Sequence, residues 1–166
     1  MPRVHFVKKA QKDYPAWGIK KGDSYYWWKF RHGGMRRSKT RPTRQELTQS
    51  PFLTQVYDIE DCLMSFTIHV GEKSIEEIRE ELEEFIEGIV SDINDLQSEC
   101  EESLDNMPEQ LQESSASGQI LQERIEMLED WVSNLESIDI DIDEEDIEAK
   151  VEDILDEISS TTYEGG

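Results

Sequence analysis

The chain has 166 residues, 36% hydrophobic and 34% charged, a balance that leans away from one large globular core and toward helix with a solvated face. Its formal net charge of −22 conceals a split: residues 1–45 hold 13 of the 17 Lys and Arg against two acidic residues, and residues 46–166 hold four against 37. No apolar run reaches the roughly 18 residues of a membrane-spanning helix, the isolated Cys62 and Cys100 make no disulfide framework, and residues 1–14 lack the apolar stretch of a secretory signal, so a reduced, cytoplasmic protein is expected.

In chain order, Arg3–Lys8 alternates as a strand does, and Pro15 and Gly18 then break the chain. Asp23–Arg31 (DSYYWWKFR) is dense in aromatic residues of high strand propensity. His32-Gly33-Gly34-Met35 reads as a turn, with Arg36–Thr40 as the return strand. A three-stranded antiparallel sheet with a hairpin at its centre is expected. Pleating places Tyr26, Trp28 and Phe30 on one face and Tyr25, Trp27, Lys29 and Arg31 on the other. One face is expected to be buried and the second to present rings beside cations.

Arg41–Arg44 reads as a linker. Ser50-Pro51 then has the form of an N-cap followed by proline at the first helical position. Phe52, Val56, Ile59, Leu63 and Phe66 follow at helical spacing and end near Gly71, and their face is expected to cover the sheet. Ser74-x-x-Glu77 matches a capping box. From there Ile75, Ile78, Leu82, Phe85, Ile89, Ile93, Leu96, Cys100 and Leu104 form a seam, roughly 45 Å long at 1.5 Å per residue. The four-residue step from Ile89 to Ile93 interrupts the heptad.

Met107-Pro108 stops or kinks this helix, and Ser114–Gly118 reads as a small-residue loop. A second amphipathic helix carries Leu121, Ile125, Leu128, Val132 and Leu135 on one stripe with Trp131 at its flank. A short connection between two such helices favours an antiparallel hairpin. Ile138–Ile142 alternates like a brief strand, Asp143 is the expected cap of a last helix with Ile147, Val151, Ile154 and Ile158, and residues 161–166 read as a flexible tail.

The expected architecture is α+β: a small antiparallel sheet packed on a helix (1–70), an acidic, elongated, coiled-coil-like helical hairpin with a terminal helix (71–160), and the tail. An apolar seam this long needs a cover, from the second helix, from a third or from another subunit, and a homodimer is expected.

The basic aromatic hairpin is the most informative feature. Cations neutralise phosphates and aromatic faces stack on unpaired bases, so Lys29, Arg31, Arg36, Arg37 and Lys39 are the candidate phosphate contacts, with Tyr25 and Trp27 as stacking rings. A folding role for the rings, with solvated cations around them, competes with this reading.

The run YYWWKFRHGGMRRSKT (Tyr25–Thr40) resembles the Arm-type DNA-binding sheet of phage tyrosine recombinases, with its aromatic strand, glycine turn and basic return strand. The likeness covers about 20 of the 166 residues, and no recombinase catalytic domain follows it. The longer stretch from SKTRPTRQELTQSPFL, with NMPEQLQ and GQILQERIEMLEDW downstream, is similar to uncharacterised phage-type proteins. Together these imply an accessory or regulatory nucleic-acid-binding protein of a phage or mobile element.

The acidic helices carry the competing reading: docking on a basic protein to inhibit or recruit it, in the limit as a mimic of DNA, or a structural scaffold role. Asp139-x-Asp141-x-Asp143 falls short of a calcium loop, with Glu144 where glycine is needed and Lys150 where glutamate is needed. His5, His32 and His69 have no metal-ligand spacing with the cysteines. There is no phosphate-binding loop, nucleophile elbow or zinc-protease motif, and no cofactor, metal or catalytic activity is expected.

Overall fold

The computed structural model describes residues 1–142 and 146–164, and the chain divides into two compact units, Met1–Tyr57 and Asp58–Gly166. The division falls inside the first long helix. The first unit holds 13 basic residues against three acidic ones, the second four against 36.

In the first unit, β1 (His5–Val7), β2 (Tyr25–Phe30) and β3 (Gly34–Ser38) form an antiparallel sheet in that order. The register pairs His5 with Trp27, Phe6 with Tyr26, Trp27 with Arg37, Trp28 with Arg36 and Phe30 with Gly34. Three residues, Arg31 to Gly33, turn the hairpin, and Gly34 takes the left-handed conformation at φ +78° that the connection needs.

The segment between β1 and β2 folds back on the sheet. A one-turn 3-10 helix, Pro15–Trp17, sits between Tyr14 and Ile19, which pair as an antiparallel bridge. Ala10 donates to the Asp23 carbonyl at 2.8 Å and accepts from the Gly22 N–H at 2.9 Å. Ala10 and Ile19 thereby join Tyr25 in a small core, with Val7, Tyr14, Trp17 and Trp27 packed against it.

Beyond β3 the expected linker is also ordered. Thr43 and Glu46 bond reciprocally, Glu46 accepting from the Thr43 N–H at 2.9 Å and donating its own N–H to Thr43 Oγ1 at 3.3 Å. A second 3-10 turn, Gln45–Leu47, follows. Helix α1 (Pro51–Ser65) starts where Ser50 Oγ accepts the Leu53 N–H at 3.3 Å. It ends at Ser65, earlier than the expected stop near Gly71. Phe52 and Val56 are buried on its first turns, Ile59 and Leu63 on its later ones.

The second unit is built on α2 (Ile75–Asp105), which opens with both halves of the Ser74–Glu77 capping box formed. The chain continues through α3 (Glu109–Ser114), α4 (Ala116–Glu136) and α5 (Ile147–Ser160). Arg79 bonds Asp141 at 3.0 Å and Gln97 bonds Glu129 at 3.3 Å, so the start of α2 meets the stretch beyond α4 and its later part meets α4 itself. That pairing is the antiparallel hairpin. Ile78, Leu82, Ile86, Ile89, Ile93, Leu96 and Cys100 are all buried within one chain, and so are Leu128, Trp131 and Leu135 of α4 and Val151, Ile154 and Ile158 of α5. The seam thus has its cover within the chain, which removes the reason for expecting a homodimer.

Several local expectations shift. Ile86 joins the buried seam, while Phe85 turns partly outward and stacks on Phe66 with centroids 3.6 Å apart. Ser114–Gly118 is helical apart from Ser115, which caps α4 by accepting the Gly118 N–H at 3.0 Å. Trp131 sits at the centre of the core, 1% exposed, instead of at its flank. Ile138–Ile142 keeps its alternation, with Ile138 and Ile142 buried and Asp139 and Asp141 exposed, but it has no strand partner among the described residues. Asp143 and Glu144, the expected cap and the sixth position of the calcium-like run, lie outside the described residues. Past α5 the chain carries Tyr163 to within 6.4 Å of the Trp131 ring.

Two helical glycines give opposite expectations. A Cβ at Gly118 would overlap the Gln112 carbonyl oxygen, whereas one at Gly88 meets nothing within 4 Å. Gly118→Ala is expected to destabilise by about 1–3 kcal/mol through overpacking, and Gly88→Ala to stabilise by about 0.5–1 kcal/mol. Urea unfolding followed by circular dichroism reads both; the same sign for the two would contradict this corner geometry. The cysteines differ similarly. Cys62 is exposed, while Cys100 is buried and burial pushes its thiol pKa up. At neutral pH one thiol is expected to react promptly with a disulfide reagent and the other only as the protein unfolds, so two equally fast thiols would place Cys100 wrongly.

Candidate nucleic-acid interface

The seven residues expected to meet nucleic acid separate once their surroundings are known. Tyr25 is 7% exposed, with its ring centroid 5.6 Å from that of Tyr14. Its hydroxyl pKa is pushed up, first by the hydrogen bond with the Tyr14 hydroxyl and then by burial, with Arg37 opposing. A ring so enclosed offers no face to a base, and the stacking role expected of Tyr25 is corrected to a core role.

Arg37 is likewise part of the fold. Its guanidinium lies 4.3 Å from the Tyr14 ring centroid and donates from Nη2 to Met35 Sδ at 2.9 Å. Its Nε is buried without an acceptor. Lys39 pairs with Asp23 at 2.9 Å. Asp23 also accepts the Lys20 backbone N–H at 3.0 Å, and that bond, followed by Lys39, holds its carboxyl below the usual range.

Lys29, Arg31 and Arg36 are exposed. Among the described residues none of the three has an ion-pair partner. Lys29 stands opposite Met35 and Arg36 opposite Trp28 in the ladder, on opposite faces, and Arg31 begins the turn. The free cations therefore surround the distal end of the hairpin and do not pave one side of it.

Trp27 is half-buried and stacks on His5 at 4.2 Å, with an interplanar angle of 11°. The most open ring on the sheet is Phe6, 53% exposed and 4.9 Å from the Tyr26 ring. Pleating alone did not single out Phe6, because its neighbour depends on the β1–β2 register.

Two grooves flank the segment from Gln45 to Gln49. One, of about 710 Å³, is lined in part by Lys29, Arg31, Leu53 and Tyr57. The other, of about 440 Å³, is lined in part by Trp28, Arg36, Arg37 and Glu46. Phe30, Thr48 and Gln49 border both. Trp28 is 3% exposed, and its Nε1 has no acceptor. A buried donor left unpaired costs about 1–3 kcal/mol. The Gln45–Gln49 wall was legible in principle, since Thr43-x-x-Glu46 has capping-box form.

Compared with family models, curated proteins and solved structures, the chain finds no match in any of the three. The case for function accordingly rests on these side chains.

The two neighbouring arginines of β3 are expected to behave differently. Arg37→Ala removes a guanidinium packed on Tyr14 and should lower stability by about 1 kcal/mol. Arg36→Ala, at an exposed position, should change it by less than about 0.5 kcal/mol. Equal effects in urea unfolding would contradict the division between structural and free cations.

Proposed function

We propose that the protein is a non-catalytic nucleic-acid-binding protein, an accessory or regulatory factor of a phage or mobile element acting in the cytoplasm, and that it binds through the distal end of the β2–β3 hairpin. Lys29, Arg31 and Arg36 neutralise phosphates. Further from the turn, and on opposite faces of the sheet, Trp27 and Phe6 supply ring surface for unpaired bases. The observation that carries this reading is the set of three exposed cations without ion-pair partners, on a unit with 13 basic residues against three acidic ones. Long, flexible cations around a narrow hairpin end suit a polyanion that passes across it.

The second unit supports a second reading. Two of its four basic residues are already paired, Lys73 with Glu81 and Arg79 with Asp141, against 36 acidic residues. Such a surface is suited to docking on a basic protein.

Fluorescence anisotropy of the full-length protein with single-stranded DNA, duplex DNA and RNA tests the first reading. Three phosphate contacts set a ceiling of about 40-fold on the loss of affinity between about 50 and 200 mM salt. Replacing Lys29, Arg31 and Arg36 together by Gln is expected to abolish binding without unfolding the protein. Unchanged binding by that variant would remove the assignment. Absence of binding to every probe at low salt would reject the nucleic-acid reading and leave the acidic unit as the working surface.

A further inference from the structure

The β1 ladder ends where His5 pairs with Trp27, so the next residues of β2 have no ladder partner on that side. The larger groove opens there. It measures about 710 Å³, and Lys29, Phe30 and Arg31 border it in succession, with Leu53 and Tyr57 of α1 also in its lining. Every lining residue belongs to the first unit. No carboxylate stands among them, and Lys29 and Arg31 are both exposed. A recess with apolar walls, cations at its border and no anion suits a flat ring carried on a polyanion.

Gln49 borders this groove as well as the smaller one. It is exposed, and among the described residues its carboxamide has no hydrogen-bond partner. That carboxamide lies against the hairpin turn: a Cβ at Gly33 would overlap its nitrogen and stand 2.9 Å from its carbon and 3.2 Å from its oxygen. Gly33 does not share the left-handed conformation of Gly34, so its missing side chain serves space and not backbone geometry. A free carboxamide offers donor and acceptor side by side. The pairing edge of every nucleobase carries the complementary set, free in a single strand and engaged in a duplex.

We propose that the larger groove seats one unpaired base of a nucleic-acid strand and that Gln49 reads its pairing edge, while Lys29 and Arg31 hold neighbouring phosphates. This rests on the nucleic-acid reading above and deepens it, adding a base-reading residue from outside the hairpin and naming single strands as the ligand. The base lies against Leu47, Leu53 and Tyr57. The Arg44 guanidinium stands over the Tyr57 ring, 4.8 Å from its centroid, and backs that wall. Gly33 is a positioning residue, leaving the room that keeps the Gln49 carboxamide at the turn beside Arg31. A duplex, with its pairing edges engaged, gives Gln49 nothing to read.

The test is fluorescence anisotropy of the full-length protein at low salt with three labelled probes: an oligothymidylate, an abasic strand of the same length and charge, and a matched duplex. Gln49→Ala, at an exposed position, is expected to weaken oligothymidylate binding about tenfold, the loss of a paired donor and acceptor. The same variant should leave the abasic strand and the duplex unchanged and melt as the parent does. Gly33→Ala, which crowds the carboxamide, should also weaken oligothymidylate binding and add nothing in the Gln49→Ala background. An equal loss on the abasic strand would show Gln49 serving the cations alone and overturn the base seat. Oligothymidylate binding untouched by Gln49→Ala, while the parent binds, overturns the seat and spares the function. Absence of binding by the parent to every probe rejects the nucleic-acid reading and the seat with it.

Discussion

A sheet of three short strands has no second layer to hide its central strand, so β2 must be covered on both faces by chain that is not sheet. That constraint organises the first unit. Residues 8–24 cover the Tyr25 face, with Ala10 and Ile19 in the core and Tyr14 against the Tyr25 ring. On the opposite face Trp28 and Phe30 are closed in where the segment from Gln45 to Gln49 borders them. Three of the five aromatics of β2, Tyr25, Trp28 and Phe30, are consumed in this way, as expected of a unit too small to fold on aliphatic residues alone. The cations are sorted by the same requirement. Arg37 and Lys39 stand where the cover reaches them, over Tyr14 and beside Asp23. Lys29, Arg31 and Arg36 lie towards the turn, beyond that cover.

The second unit solves a different burial problem. A 31-residue helix carrying an apolar seam is unstable in isolation and sticky when exposed. Here the seam meets α4 within the same chain, and the extended Ile138–Ile142 segment leads into α5, whose own stripe is also buried. The tail adds Tyr163 at Trp131, and burial pushes the hydroxyl pKa of Tyr163 up. With these covers in place the acidic residues other than the buried Glu60 are left towards the outside among the described residues, which explains why so high a charge density is compatible with a packed interior.

Features that depend on nearest neighbours along the chain were legible in the sequence. The Ser74–Glu77 box, the Ser50-Pro51 start, the break at Met107-Pro108 and the glycine turn each depend on residues within one turn of each other. Features that depend on what packs from elsewhere were not. Alternation sorted β2 into two sets, yet could not show that both sets are covered, because residues 8–24 look like a broken loop until Tyr14 and Ile19 pair. Trp131 was placed at a flank because the stripe of α4 was drawn from aliphatic residues alone, and its central position depends on the other helices and the tail. Ser114–Gly118 has loop composition, but Ser115 caps α4, and Gly118 allows the close approach of the Gln112 carbonyl that turns one helix into the next. At the candidate site, residue type identified the basic hairpin; only contacts could tell free cations from committed ones.

The opposed charges of the two units bear on how a polyanion can be bound at all. A chain of net charge −22 repels nucleic acid at long range, and screening confines attraction by individual cations to about 8 Å at physiological ionic strength. A diffuse basic field is therefore a poor means of capture for this chain, and contacts made at close range are a better one. Salt then acts in two directions. On the proposed reading it weakens the phosphate contacts of Lys29, Arg31 and Arg36 through counterion effects, and it also weakens the repulsion between nucleic acid and the acidic residues. The two partly cancel, so the proposed reading expects a salt dependence below the ceiling set by three contacts. On that reading, removing acidic charge from the second unit is expected to steepen that dependence and to raise affinity at low salt, because the repulsive half of the balance is lost while the contacts remain.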